Sequence, residues 1–118
     1  HVGSEGTVAQ GCGALWSLAV GSTDRKEAIG RHGGIDEICT AMVVHVGSAE
    51  VQRNACGALW SLTANSYINK RIAAGCEAVR RVCGSMSNHG ESAMVQQLAC
   101  GALACLCGVP ESRRHAYA

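Results

Sequence analysis

Cysteine and histidine are the residues of this sequence best suited to chemistry, with eight and five copies in 118 residues. The pattern closest to a metal site is Cys105-x-Cys107, preceded by Cys100. On a helix, residues two apart point about 200° apart, so these thiols could not share one ion without local unwinding. His45 and His89 sit beside polar turns and are predicted to be exposed turn residues. No metal site is expected.

Sequence signatures of catalysis are missing as well. The chain contains no Gly-x-Ser-x-Gly, no phosphate-binding loop and no dinucleotide-binding fingerprint. We therefore predict a chain that is not an enzyme and uses no cofactor. The net charge of +1 argues against a nucleic-acid surface. No apolar run of 18 residues is present, so no membrane span is predicted.

A seven-residue sequence motif recurs along the chain. Cys-Gly-Ala-Leu-Trp-Ser-Leu stands at 12–18 and again at 56–62, and a changed copy, Cys-Gly-Ala-Leu-Ala-Cys-Leu, stands at 100–106. The words begin at positions 12, 56 and 100, so the spacing is 44 residues both times. A fixed period of this length is typical of a solenoid, in which each unit buries its apolar face against the next.

The period also explains most of the cysteines. Cys12, Cys56 and Cys100 share one repeat position, and Cys39 and Cys83 share another. A thiol at a repeated position is expected to be a small buried side chain, so we predict these five to lie in the core. All eight thiols are predicted to be reduced, which is typical of an intracellular protein, and we expect the cytoplasm as its location.

Apolar spacing and turn residues predict helices throughout. The expected helices cover 7–20, 24–32, 35–46, 49–64, 66–74, 77–87 and 93–107, and residues 111–118 are expected to begin another. Ser48 and Ser92 are predicted N-caps. The predicted inward stripes are Ile35, Ile38, Met42 and Val46; Val51, Ala55, Leu59 and Leu62; Val79, Val82 and Met86; and Val95, Ala99, Leu103 and Leu106.

The words Val-Gln-x-x-Ala-Cys-Gly-Ala-Leu-Trp-Ser-Leu-Thr-Ala-Asn (51–65) and Gly-Gly-Ile-Asp-Glu-Ile (33–38) resemble the armadillo repeat. The resemblance implies an all-α, right-handed α-solenoid of three-helix repeats with a period of 44 residues. It divides 1–118 into a last helix of a partial repeat (1–20), two full repeats (24–64 and 66–107) and the start of a truncated repeat (111–118). A start at His1 suggests an excised fragment.

In armadillo arrays the third helix of each unit lines a concave groove. A helical wheel with about 100° per residue places one set of third-helix positions on the side away from the core. The resulting partner-binding positions are Gln10, Gly13, Ser17, Asn54, Gly57, Ser61, Asn65, Leu98, Gly101 and Cys105. In peptide-binding members of the family, an asparagine occupies the position of Ser17, Ser61 and Cys105. The main-chain clamp of the family is thus missing here, and Asn54 and Asn65 could supply substitute amides.

Glycine and tryptophan recur beside this groove. Gly13, Gly57 and Gly101 each cost a helix roughly 0.8–1 kcal/mol against alanine, so we expect each to admit a close approach, from a neighbouring helix or from a bound strand. Trp16 and Trp60 fall at the edge between core and groove, and we interpret them as packing residues between repeats.

Two functions remain open from the sequence. The first is a non-catalytic scaffold that binds a protein or peptide segment along the groove of the third helices. The alternative is a structural or assembly array that packs against other domains of its own chain or associates with itself end to end. Uncovered apolar surface at both ends of the array favours self-association of the fragment.

Overall fold

The computed structural model describes residues 4–107, and this part of the chain is all-α, with no β-strand. Its helices are α1 (Glu5–Ala19), α2 (Thr23–Arg31), α3 (Gly34–Val44), α4 (Ala49–Thr63), α5 (Tyr67–Gly75), α6 (Ala78–Asn88) and α7 (Ala93–Cys107). The predicted all-α class is confirmed for these residues. The helix expected over 111–118 lies outside them.

Serine begins most of these helices, and its hydroxyl explains where they start. In five cases a serine side chain accepts a hydrogen bond from the backbone N–H three residues later, which satisfies a donor that the first helical turn leaves open. The serines are Ser4, Ser22, Ser48, Ser66 and Ser92. The caps predicted at Ser48 and Ser92 are confirmed. The first helix begins at Glu5 rather than at residue 7, because Ser4 caps it.

Left-handed residues reverse the chain before α3 and α6. Gly33 has a φ of 90°, and Glu77 has a φ of 58°. Glycine takes this conformation without steric cost, whereas a residue with a Cβ is found there far less often. The Glu77 carboxylate also pairs with Arg81 at 3.2 Å on the surface.

The 15-residue helices form the centre of the fold. Helix α4 packs between α1 and α7, while α3 packs on α4 and α6 packs on α7. The stripe predicted for α4 is confirmed, since Val51, Ala55, Leu59 and Leu62 are fully buried.

Two predicted core positions outside α4 are wrong. Val46 is 48% exposed because α3 ends at Val44 and leaves it in the following turn. Val79 is 40% exposed because α6 contacts α3, α5 and α7, and no described helix covers its remaining side. The burial of Ile35 in α3 therefore does not carry over to Val79, its counterpart in α6.

The same reasoning corrects two thiols. Cys12, Cys39 and Cys56 are buried as predicted, but Cys83 and Cys100 are exposed. Their counterparts Cys39 and Cys56 are covered by the next unit along the chain, and within residues 4–107 nothing lies beyond α6 and α7 to cover Cys83 and Cys100. All eight cysteines are free.

Across residues 4–107, no helix combines the length and the apolar character that a membrane crossing requires.

Candidate partner-binding groove

A cavity of about 340 Å³ opens where α1 and α4 lie side by side. It is lined by Trp16, Ala19, Val20, Gly21, Lys26, Trp60, Ser61, Ala64 and Leu98. We call it the indole cavity, because Trp16 of α1 and Trp60 of α4 both border it. Trp16 is partly exposed and Trp60 is 37% exposed, so both rings present aromatic surface to an incoming group.

Each indole also packs on a glycine of a neighbouring helix, Gly57 of α4 or Gly101 of α7. A Cβ atom at Gly57 would lie 2.5 Å from three carbons of the Trp16 ring, and one at Gly101 would collide with the Trp60 ring in the same way. The predicted close approach is therefore real at Gly57 and Gly101, where the approaching group is an indole side chain. It is not found at Gly13, where the nearest atom to a Cβ would be Asn54 Nδ2 at 3.4 Å, an ordinary contact distance. The Trp16 ring of α1 thus lies against α4, and the Trp60 ring of α4 lies against α7.

Comparison with known proteins agrees with this arrangement. Residues 22–64, which contain α2, α3 and α4, match the family model for the Armadillo/beta-catenin-like repeat. This part of the chain is thus similar to an armadillo repeat. No curated protein and no solved structure matches it. Armadillo repeats generally bind other proteins and are typically non-catalytic.

The armadillo groove positions predicted from the sequence separate into two groups. Ser61 and Leu98 line the indole cavity, and Leu98 is also part of the core at 6% exposure. The remaining positions do not line it: Gln10, Gly13, Ser17, Asn54, Gly57, Asn65, Gly101 and Cys105. Gly57 is buried beneath the Trp16 ring, so it offers no surface to a ligand.

Asn54 and Asn65, the two asparagines expected to substitute for the family's peptide-binding amides, differ in their surroundings. Asn54 Nδ2 donates to the Ala9 carbonyl of α1 at 2.9 Å, and its Oδ1 accepts from Arg53 Nε at 3.3 Å. The amide of Asn54 is thus used within the fold, joining α4 to α1. Asn65 is exposed in a left-handed conformation just after α4.

Lys26 is the cavity residue that the sequence analysis missed. It belongs to the short polar helix α2, and its Nζ donates to the Ala64 carbonyl at the end of α4 at 2.8 Å. The helical wheel used in the sequence analysis covered only the third helices, so it could not identify a residue of α2. Lys26 is the one charged side chain in the described lining, so the cavity combines aromatic walls with a single ammonium group.

The buried thiols show no sign of reactivity. Burial raises the pKa of Cys12 and of Cys56 to about 11, and burial with the nearby Cys76 and Asp36 raises the pKa of Cys39 to about 12. A thiol is nucleophilic as the thiolate, which these environments disfavour. Between residues 4 and 107, no group of three His, Cys, Asp or Glu side chains is arranged to hold a metal ion.

Proposed function

We propose that this chain is a non-catalytic scaffold that binds a segment of a partner protein along the groove of α1, α4 and α7. The observation that carries the proposal is the indole cavity, where Trp16 and Trp60 border one opening. Partly exposed tryptophans beside a concave surface are typical of protein-binding sites, because they bury much apolar area for little loss of side-chain freedom.

The architecture that we infer for this function is a right-handed α-solenoid with a unit of 44 residues. Residues 24–64 and 66–107 would be full repeats, and 1–20 and 111–118 would belong to partial ones. Support comes from the repeated sequence words and from the equal lengths of α1, α4 and α7. In such an array, the third helices would form one continuous surface.

Side chains, rather than main-chain amides, would provide recognition in this groove. Ser17 and Ser61 stand where peptide-binding relatives carry asparagine, and Asn54 already donates to Ala9. A serine hydroxyl reaches less far than an amide and cannot pair with a peptide unit in the same way. The partner would therefore insert an apolar or aromatic side chain between the indoles. A carboxylate beside it would meet Lys26, whose ammonium has three donor hydrogens and uses one on Ala64.

Selection of peptides tests this proposal. A random peptide library displayed on phage is selected on the wild-type chain, and the selected peptides are titrated by fluorescence polarisation. Ser61→Trp would fill the indole cavity and should weaken binding at least tenfold. Ser87→Trp, at an exposed position of α6, is the matched control and should bind like wild type. Selected peptides that bind both variants equally would place recognition elsewhere.

The second candidate function is assembly, by packing against other domains of the same chain or by end-to-end self-association. It is favoured by exposed apolar side chains on α3 and α7, since Val43 is 50% exposed and Met94 is 47% exposed. Burial of such surface favours association at roughly 25 cal/mol per Å² before the entropy of association is subtracted. Sedimentation velocity over a concentration series separates the candidates: assembly requires a mass that rises with concentration.

A further inference from the structure

The indole cavity contains two features that attract ligands of opposite charge. The faces of Trp16 and Trp60 attract a cation, because the π-electrons of an aromatic ring carry partial negative charge. The ammonium group of Lys26, in the same lining, repels a cation and attracts a carboxylate. We propose, building on the scaffold function, that the cavity selects an acidic segment of a partner protein, in which an aspartate or glutamate lies beside a bulky apolar residue. Lys26 is the residue that determines this selectivity.

The backbone carbonyls that could hold a cation in the cavity already have cationic partners. The last carbonyls of a helix carry partial negative charge, and the C-caps of α1 and α4, Val20 and Ala64, both line the cavity. The Val20 carbonyl accepts a hydrogen bond from Arg25 Nη2 at 3.1 Å. The Ala64 carbonyl accepts one from Lys26 Nζ at 2.8 Å. A cationic ligand would therefore have to displace one of the protein's own cations.

Within the described lining, no carboxylate offsets the positive charge of Lys26. The acidic residue beside it in the sequence is Glu27, whose carboxylate is engaged elsewhere. Glu27 Oε2 accepts from Ser66 Oγ at 3.0 Å, and Oε1 lies 3.9 Å from Arg31 Nη2. An ammonium group has three donor hydrogens and that of Lys26 uses one within the fold, so two are available to the carboxylate of a ligand.

Asn69 is a positioning residue for Lys26. Its side chain is fully buried, and its Nδ2 donates to the Lys26 and Leu62 carbonyls at 2.8 Å each. One amide thus joins α2 to α4 at the residue that brings the positive charge to the cavity. Because the backbone and the ammonium group of Lys26 are both held by hydrogen bonds, little further freedom is lost when a ligand binds.

The test repeats the selection from the peptide library on the full 118-residue chain and on a charge-reversed variant. The peptides are fused to the phage through their C-termini, so only side chains can supply a carboxylate. Wild type should enrich aspartate or glutamate beside a bulky apolar residue, whereas Lys26→Glu should enrich lysine or arginine. Arg80→Glu is the matched control, because it changes the net charge equally at a side chain that is 72% exposed on α6 and does not line the cavity. Its selected peptides should resemble those of wild type.

Titration of one selected peptide, and of a counterpart in which its carboxylate is replaced by the amide, isolates the contribution of the charge. Lys26→Gln keeps a donor but removes the charge. It should weaken binding of the acidic peptide about tenfold, as expected for a hydrogen bond between charged groups, and leave the amide counterpart unchanged. Added salt should weaken binding of the acidic peptide to wild type and not to Lys26→Gln. Circular dichroism checks that each variant is folded.

The outcomes separate this inference from the scaffold function. Peptides that Ser61→Trp blocks, but that carry no excess of aspartate or glutamate, would overturn the role of Lys26 and leave the scaffold function intact. Equal weakening of the acidic peptide and its amide counterpart by Lys26→Gln would also overturn that role, because Lys26 would then act only through the fold. Peptides that bind wild type and Ser61→Trp equally would overturn both.

Discussion

The ring of Trp16 occupies the space that a side chain would need at Gly57, with three ring carbons 2.5 Å from the position of a Cβ atom there. Trp60 and Gly101 repeat this relationship between α4 and α7. Glycine in a helix interior is less favourable than alanine by about 1 kcal/mol. The chain accepts this cost because glycine alone lets the indole of the preceding unit lie against the helix.

Gly57→Ala is therefore expected to destabilise the fold even though alanine is the better helix former. Forcing a methyl group against a packed ring costs about 1–3 kcal/mol, which exceeds the gain in helix propensity of about 1 kcal/mol over most of that range. Urea unfolding followed by circular dichroism measures the change. Gly84→Ala is the control, because nothing lies within 4 Å of a Cβ at that position and the substitution should stabilise.

A double substitution tests whether the indole is the cause. Trp16→Ala removes the ring, so Gly57→Ala should become neutral or stabilising in that background, with a coupling free energy of about 1 kcal/mol or more. Additive effects of the two substitutions would show that Gly57 is needed for another reason.

Asn69 is expected to be among the least replaceable polar residues. It is fully buried, and its Nδ2 donates to the Lys26 carbonyl of α2 and the Leu62 carbonyl of α4, at 2.8 Å each. Asn69→Asp would remove both donors and bury a carboxylate against two carbonyl oxygens. We expect a loss of roughly 3 kcal/mol or more at neutral pH, measured by urea unfolding. Asn65→Asp, at an exposed position, should change stability by well under 1 kcal/mol.

Gln52 and Gln96 make matching bonds in different surroundings, which gives a paired comparison. Gln52 is 1% exposed and its Oε1 also accepts from Ser85 Oγ, whereas Gln96 is only partly buried. Removing Gln52 would leave more buried polar groups without partners. Gln52→Ala should thus cost about 1 kcal/mol more than Gln96→Ala in thermal or urea unfolding. Equal losses would mean that the bond to Ser85 contributes no net stability.

The rates at which the cysteines react with a thiol reagent at pH 8 should follow their exposure. Those expected to react fast are exposed: Cys83, Cys100 and Cys107. Those expected to react only through unfolding are buried: Cys12, Cys39 and Cys56. Mass spectrometry of the native protein after partial alkylation identifies the modified sites. Early labelling of Cys56 would contradict its complete burial on α4.

The same buried thiols predict a loss of stability in alkaline solution. The folded state raises the pKa of Cys12 and Cys56 to about 11 and of Cys39 to about 12, above the ordinary thiol value of 9.0. The protonated form is thus favoured by folding, and its contribution is fully present below about pH 9 and lost as pH rises toward 11–12. Cys39→Ala should reduce the slope of unfolding free energy against pH over this window, while Cys83→Ala should not.

The amino-acid sequence by itself determined the helices and their order. Serine caps such as Ser48, the glycines at the turns and the spacing of Val51, Ala55 and Leu59 act over one or two helical turns, so they can be read locally. The internal repetition showed which helices are equivalent. It also predicted the burial of Cys12 and Cys56, because these thiols share one repeat position. The armadillo resemblance followed from the same words.

Only the tertiary structure decided what fills the space between helices. That Trp16 lies on Gly57, that Asn54 bonds to Ala9 and that Lys26 reaches the indole cavity all depend on residues some 40 positions apart in the sequence. Repetition also misled the analysis at Cys100, which shares a repeat position with buried thiols and is exposed. The physical reason is that burial belongs to the interface between neighbouring units, so a residue's exposure depends on what packs against it and not on its own repeat position.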